Sequence, residues 1–235
     1  MMSDRTRNQF QNFLRLPLRV KLQFISYYFF NALHLSFYAI VHFYNIARLG
    51  LAGVRTGKNF SSHGAMIINI YPGSEVILGQ NVSAISDSRR SNASALAFPV
   101  KIRTFSPSSK ILIGDNVGLN GTSITSRSRP IIIGSGTMIA PNVIIVDSDF
   151  HKPWPPKQRL NYPGNELDRE VIIGKNSWIG MNTIILKGVT IGDNCIIGAG
   201  SVVVHDIPGN SLAAGSPARV IKVYNQGSTT SPADI

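Results

Sequence analysis

An aliphatic residue recurs every six positions at Ile173, Ile179, Ile185, Ile191, Ile197 and Val203, without a slip. The same beat runs earlier through Ile113 and Leu119, and through Ile133, Ile139 and Ile145. Glycine often follows the aliphatic, as at Gly114, Gly134, Gly174, Gly180, Gly192 and Gly198. Four residues after the aliphatic stands a small or medium side chain: Val117, Ser123, Thr137, Val143, Ser177, Thr183, Val189, Cys195 and Ser201. A period of six matches neither a helix of 3.6 residues per turn nor a strand of period two. It is the mark of a parallel β-helix, in which three hexads of about 18 residues close one triangular coil. The aliphatic is expected to fill the core, the small residue to complete the interior layer, and the glycine to ease the corner.

The run from Val171 to Val220, with its closing GSPAR, resembles the C-terminal half of the hexapeptide-repeat acyltransferases, particularly the maltose, galactoside and polysaccharide O-acetyltransferases. The resemblance is strong over 111–222, weaker over 57–110 and absent before that. It implies a mainly β fold, a left-handed parallel β-helix, which is an exception to the usual right-handed crossover. It also implies a homotrimer with active sites between neighbouring subunits, and acetyl-CoA as co-substrate.

Interruptions of a repeat mark its functional loops. SRSRP after Thr125 is one; the excursion 146–170, rich in proline, charge and aromatics, is another; the serine-rich stretch 83–110 is a third, of unset register. The excursion opens Asp147-Ser148-Asp149-Phe150-His151. In the resembling enzymes a histidine here is the general base, and imidazole suits that task at neutral pH. Asp147, Asp149 or a backbone carbonyl would hold its tautomer. The resemblance assigns Asn120 to the acceptor and Trp178 to the cleft, though an asparagine ladder or a left-handed turn would also explain Asn120, and an indole plugging the trimer seam would equally explain Trp178. It assigns coenzyme A contacts to Met181, Ala199, Val204, His205, Arg219 and Lys222. Family members usually carry Thr-Lys where this chain has Val204-His205. Arg127, Arg129, Lys157, Arg159 and Arg169 point to an acidic acceptor, to coenzyme A phosphates or to solvated loop charge.

The formal net charge is +11. Residues 1–58 hold eight Lys and Arg against Asp4, a balance of +7, and leave +4 for the rest. Between Lys21 and Arg48 lie 26 residues without a charge, LQFISYYFFNALHLSFYAIVHFYNIA. A helix this apolar all round is buried in protein or in lipid. It is long enough to span a bilayer, while Gln23, Asn31, His34, His42 and Asn45 and the tyrosines favour an interface. The expected layout is a basic, apolar helical segment 1–55 that meets an anionic membrane through 1–58, a β-helix domain 56–224, and a flexible tail 225–235.

The expected function is transfer of acetyl from acetyl-CoA to a sugar hydroxyl of a polysaccharide or lipid-linked glycan precursor. A soluble enzyme for a small sugar, amino sugar or drug is the alternative. A γ-class zinc carbonic anhydrase shares the fold but needs three converging histidines, and outside the N-terminal segment there are only His63, His151 and His205. No metal is expected. A scaffold without chemistry leaves His151 unexplained, and no nucleic-acid module is recognisable. The lone Cys195, at an interior slot, suits a reducing, cytoplasmic setting.

Overall fold

The computed structural model describes residues 13–14, 16–91, 93–160 and 164–225; basic residues 1–12 and the tail residues 226–235 lie outside the described residues. Two compact units are present, residues 1–40 and 41–235. Leu18–Leu51 form one continuous 34-residue helix, α1. Pro17 stands immediately before it, where a missing N–H costs nothing, and no glycine or proline follows before Gly50. It ends in a Schellman motif around Gly53 at φ 75°, with Val54 N–H donating to the Leu49 carbonyl at 2.9 Å and Gly53 N–H to Gly50 at 3.0 Å. Leu22, Phe24, Ile25, Tyr27, Tyr28, Phe29 and Phe30 are all exposed, so the apolar surface runs round the helix rather than along one face.

The last turns of α1 belong to the second unit, and there the polar residues of the apolar run have partners. Asn45 is fully buried. Its amide donates to Ser62 Oγ and the Gly64 carbonyl, both at 3.0 Å, and accepts from Met66 N–H at 3.1 Å. His42 Nδ1 accepts from Ser62 N–H at 3.2 Å, and Arg48 donates to the Ile68 carbonyl at 2.9 Å. These side chains serve backbone groups at the open edge of the strands that follow.

The strands make three sheets of six, eight and six. The chain visits the sheets in rotation, so each strand pairs in parallel with the strand three places later, until Ile196–Ile197 pairs in parallel with the first strand of a final antiparallel hairpin, two places later. The first sheet includes Lys110–Ile113, Pro130–Ile133, Val171–Ile173 and Thr190–Ile191. The second includes Ser61–His63, Ser83–Ile85, Gly118–Asn120, Met138–Ile139, Trp178–Ile179 and Ile196–Ile197. The third includes Lys101–Thr104, Ser123–Ser126, Ile144–Val146, Ile184–Ile185 and Val202–Val203. Register stacks like on like: Ile113, Ile133, Ile173 and Ile191 form one column. Ile124, Ile145, Ile185 and Val203 form another. All eight side chains are buried, and each contributes about 1.5–3 kcal/mol by leaving water. The hairpin Ser211–Gly215 and Ala218–Val223 closes the edge of the second sheet.

Two details depart from the sequence reading. The glycines after the aliphatics do not take a left-handed φ; that conformation falls two residues later, at Asn116, Asn176, Asn182 and Asn194 among others. What these glycines permit is close approach: a Cβ at Gly134 would lie 2.6 Å from the Gly174 carbonyl carbon. The beat also loses one residue after Leu119. Thr122 and Ile124 are buried and Ser123 is only half-buried, with Gly121 at φ 49° absorbing the shortened corner. The stretch 83–110 resolves into two strands of this lattice joined by a loop over 86–100.

The buried small residues close hydrogen bonds as well as volume. Thr137 Oγ1 donates to the Gly174 carbonyl at 2.8 Å and Ser177 Oγ to Gly192 at 3.1 Å, which satisfies corner carbonyls of the next turn. Cys195 is buried among them, and burial pushes its thiol pKa up, so it packs rather than reacts. Gly134→Ala is expected to cost about 1–3 kcal/mol through overpacking. By contrast Gly118→Ala, whose Cβ would meet only Ser83 Oγ at 3.7 Å, is expected to stay within about 0.5 kcal/mol. Urea unfolding of the two variants checks the difference.

Candidate active site

The outward row of the second sheet is Ser83, Gly118, Met138, Trp178 and Ile196 in register. Two small residues followed by large ones leave a groove of about 540 Å³, lined mainly by apolar side chains. Asn120, Trp178, Met181 and Ala199 all line it. Gly118, which the sequence reading passed over, keeps its floor open: a Cβ there meets no backbone. Asn120 has neither a left-handed φ nor a ladder partner; the asparagine ladder is Asn59, Asn81 and Asn116. Among the described residues its buried Oδ1 has no hydrogen-bond partner. Trp178 is 52% exposed beside the groove. The terminal hairpin extends the same sheet past Ile196–Ile197 and carries Arg219 and Lys222, paired across from Ala214 and Leu212.

A second constellation lies where the chain leaves the third sheet. Asp147 is fully buried and accepts backbone N–H bonds from Arg127, Ser128 and Arg129 at 2.7, 2.9 and 2.8 Å. Asp168, also fully buried, receives the Arg127 guanidinium through Nε at 2.9 Å and Nη2 at 2.8 Å, and Ser128 Oγ at 2.6 Å. The excursion is therefore pinned near both ends to the loop 127–129. Burial raises the Asp147 carboxyl above its ordinary range, helped by the Asp168 charge, against the lowering of its three N–H donors. Burial acts on Asp168 in the same sense, but hydrogen bonds from Arg127, Ser128 and Ser148, with the Arg127 charge, hold it below the usual carboxylate range.

Between the pins the chain turns outward at Phe150, whose φ of 63° is uncommon for an aromatic residue. Its ring packs on Phe105 with centroids 5.7 Å apart. The next residue, His151, is exposed, and its Nδ1 lies 2.8 Å from the Arg159 carbonyl oxygen. A carbonyl only accepts, so Nδ1 carries the proton and Nε2 keeps its lone pair. Neither aspartate meets the ring: Asp147 is occupied by backbone donors, and Asp149 pairs with Lys187. Backbone accounting explains the difference, because the three N–H groups of the loop 127–129 donate to the buried carboxylate.

Val204 and His205 follow the third-sheet strand Val202–Val203, and His205 is exposed. The predicted residues thus form two groups. Asn120, Trp178, Met181 and Ala199 line the groove, with Arg219 and Lys222 on its sheet; His151, Asp147, Asp149, Val204 and His205 follow the third sheet. His151 does not line the groove of its own chain. The loop arginines divide too, since Arg127 is buried against Asp168 rather than presented to a ligand. Among the described residues no three His, Cys, Asp or Glu side chains are grouped to hold a metal ion.

Asp168→Asn leaves the Arg127 guanidinium buried without its counter-charge and is expected to cost about 3–5 kcal/mol. Because the folded Asp168 pKa is depressed, its stabilisation is present above the unfolded value near 3.8 and is lost as pH falls further. Wild type should therefore lose part of its advantage over the variant below that pH, read by thermal unfolding across the acid range.

The bacterial transferase hexapeptide (six repeats) family matches residues 170–205. The galactoside O-acetyltransferase of Escherichia coli (strain K12) is 41% identical over 121 residues, 52% of this chain and 58% of the relative. A candidate O-acetyl transferase of lipopolysaccharide biosynthesis from the same strain is 37% identical over 120 residues, 49% of this chain and 61% of the relative. The chain thus spans about three fifths of the length of these two curated relatives. A solved maltose O-acetyltransferase from Clostridium difficile 630 is 32% identical, covering 74% of this chain and 67% of that one, with a TM-score of 0.42. The unbroken six-residue beat, its match to that family and the identity to these acetyltransferases make this chain a member of the hexapeptide-repeat acyltransferases.

Proposed function

We propose that this protein is an acetyl-CoA-dependent O-acetyltransferase whose acceptor is a sugar hydroxyl of a polysaccharide or lipid-linked glycan precursor. The observation that carries this reading is the His151 tautomer set by the Arg159 carbonyl. Nε2 takes the proton of the acceptor hydroxyl as its oxygen attacks the thioester carbonyl carbon. The tetrahedral intermediate collapses by breaking the carbon–sulfur bond, and the imidazolium returns the proton to the departing thiolate, giving free coenzyme A and an acetyl ester. The identity to a galactoside O-acetyltransferase supports the sugar hydroxyl, and the lipopolysaccharide-biosynthesis relative supports a glycan acceptor.

In this reading the three sheets wind as a left-handed β-helix, and the working unit is a homotrimer. A second copy would bring His151 to the groove, which on one chain stands on another sheet. The donor lies along Met181 and Ala199, with its phosphates toward Arg219 and Lys222. Val204 and His205 would stand in for the threonine and lysine usual in the family, so His205 supplies a weaker anion contact there. The membrane is the natural place for a lipid-linked acceptor. The 18-residue apolar window of α1 is only 11% buried, basic residues Arg19 and Lys21 stand at one end of the uncharged run, and Arg48 at the other. These features support association with anionic headgroups on the cytoplasmic side.

His151→Ala should lower thiol release from acetyl-CoA by about 10²–10⁴ with galactoside or glycolipid acceptors, with coenzyme A affinity retained. Unchanged turnover would remove His151 as the base. In flotation, the full chain is expected to rise with phosphatidylglycerol vesicles and to stay bound at high salt; protein left at the bottom of the gradient would sink the membrane placement.

A further inference from the structure

The groove changes chemistry along its length. Its late end, Gly180, Met181, Gly198 and Ala199, presents backbone and small or flexible apolar groups. Its early end holds Arg90 and Asn120. The buried Asn120 Oδ1 there has no partner among the described residues, a state that a donor from a bound ligand would relieve.

Arg90 stands on the loop 86–100, where the repeat is broken. A short turn, Ser88–Arg90, is capped by Asp87, whose side chain accepts from the Arg89 backbone N–H. The same carboxylate pairs with the Arg89 guanidinium at 2.6 Å, and Arg89 does not line the groove. Arg90, the next residue, forms no ion pair with a described carboxylate. The loop is braced on three sides. Leu96 N–H donates to Ser88 Oγ at 2.9 Å, Ala97 N–H to Asn142 Oδ1 at 2.8 Å and Val100 N–H to Ser86 Oγ at 3.0 Å. One neighbouring group registers the cation: burial first, then the Arg90 charge, lowers the pKa of His63. His63, Ile85 and Asn120 are in register across three strands.

We propose that this end of the groove is an anion subsite for the acceptor, in which Arg90 pairs with a carboxylate or phosphate on the sugar and Asn120 Oδ1 accepts from an adjacent hydroxyl. The acceptor class is an acidic sugar, a uronic acid or a sugar phosphate. A guanidinium grips either anion through two parallel N–H donors. In the reading above the donor's phosphates lie toward Arg219 and Lys222, on the hairpin at the far end of the same sheet, five strand spacings or roughly 24 Å away. This assignment rests on the acetyl-transfer reading above for the word acceptor, but not for the anion contact itself.

The test compares full-length wild type with Arg90→Gln and Arg90→Lys. Calorimetry reads binding of glucuronic acid, glucose 1-phosphate, glucose and coenzyme A; thiol release reads turnover. Wild type is expected to prefer one of the acidic sugars to glucose by roughly 10- to 100-fold, the size of a charge-assisted hydrogen bond. Arg90→Gln should lose that preference and Arg90→Lys keep part of it, both with unchanged coenzyme A affinity. Which acidic sugar responds separates a carboxylate from a phosphate. If no thiol is released but Arg90→Gln loses anion binding, the subsite stands and the transferase reading falls. Absence of any acidic preference in wild type, the same preference in Arg90→Gln, or a fall in coenzyme A affinity in that variant overturns the proposal.

Discussion

Parallel turns of backbone hydrogen-bonded to one another sit less than 5 Å apart, and nearly everything in the β domain follows from that spacing. At a corner the two backbones approach so closely that a Cβ at Gly134 or Gly180 would lie 2.6 Å from atoms of the next turn. Along the sides the same spacing puts each residue over its equivalent, so an aliphatic column such as Ile133, Ile173 and Ile191 packs without offset. Hydroxyls fill several of the remaining interior positions, where the next turn offers a carbonyl within reach, as Gly174 does for Thr137. A change at one position is therefore felt by the turns on either side of it, and the ends need separate treatment. His42, Asn45 and Arg48 supply it at one end, and an antiparallel hairpin at the other.

A lattice this strict leaves little freedom for chemistry, which collects where the lattice is broken. Both long loops are braced by polar contacts as well as by packing, with Val100 in the core and Phe150 on Phe105. Ser88, Asn142 and Ser86 hold the loop over 86–100; Asp147 and Asp168, working through Arg127, hold the excursion. Buried ion pairs of this kind add little net stability over an apolar alternative, but losing one partner is costly. Here they fix where a loop leaves the stack, and so where His151 is presented. The Phe150 backbone, turned left-handed beside Ser148 and packed on Phe105, sets the final direction.

The repeat was legible in the residues, because it follows from a period; the cap made by His42 and Asn45 was not, because polar residues in an apolar run read as an interface. The grouping of Asn120, Trp178, Met181 and Ala199 along one groove was legible only through resemblance. Other features were hidden. The five-residue step from Leu119 to Ile124 is invisible when Ser123 passes as a small interior residue, since its polarity fits either face. Asp147 read as a partner for His151 by adjacency, whereas backbone N–H groups about twenty residues upstream in sequence claimed it. Arg89 and Arg90 are indistinguishable as letters; only the cap at Asp87 pairs one and leaves the other at the groove.

The sequence by itself determined the period, hence three parallel sheets with an aliphatic core, and it determined a 26-residue run without charge between Lys21 and Arg48. Both are properties of composition in order along the chain, and short-range physics suffices to read them. The tertiary structure alone decided which polar groups satisfy one another across the turns. A buried carboxylate or amide goes to whichever unpaired donor the fold brings within 3 Å, and that proximity is set by the winding of the whole chain rather than by any local stretch of it.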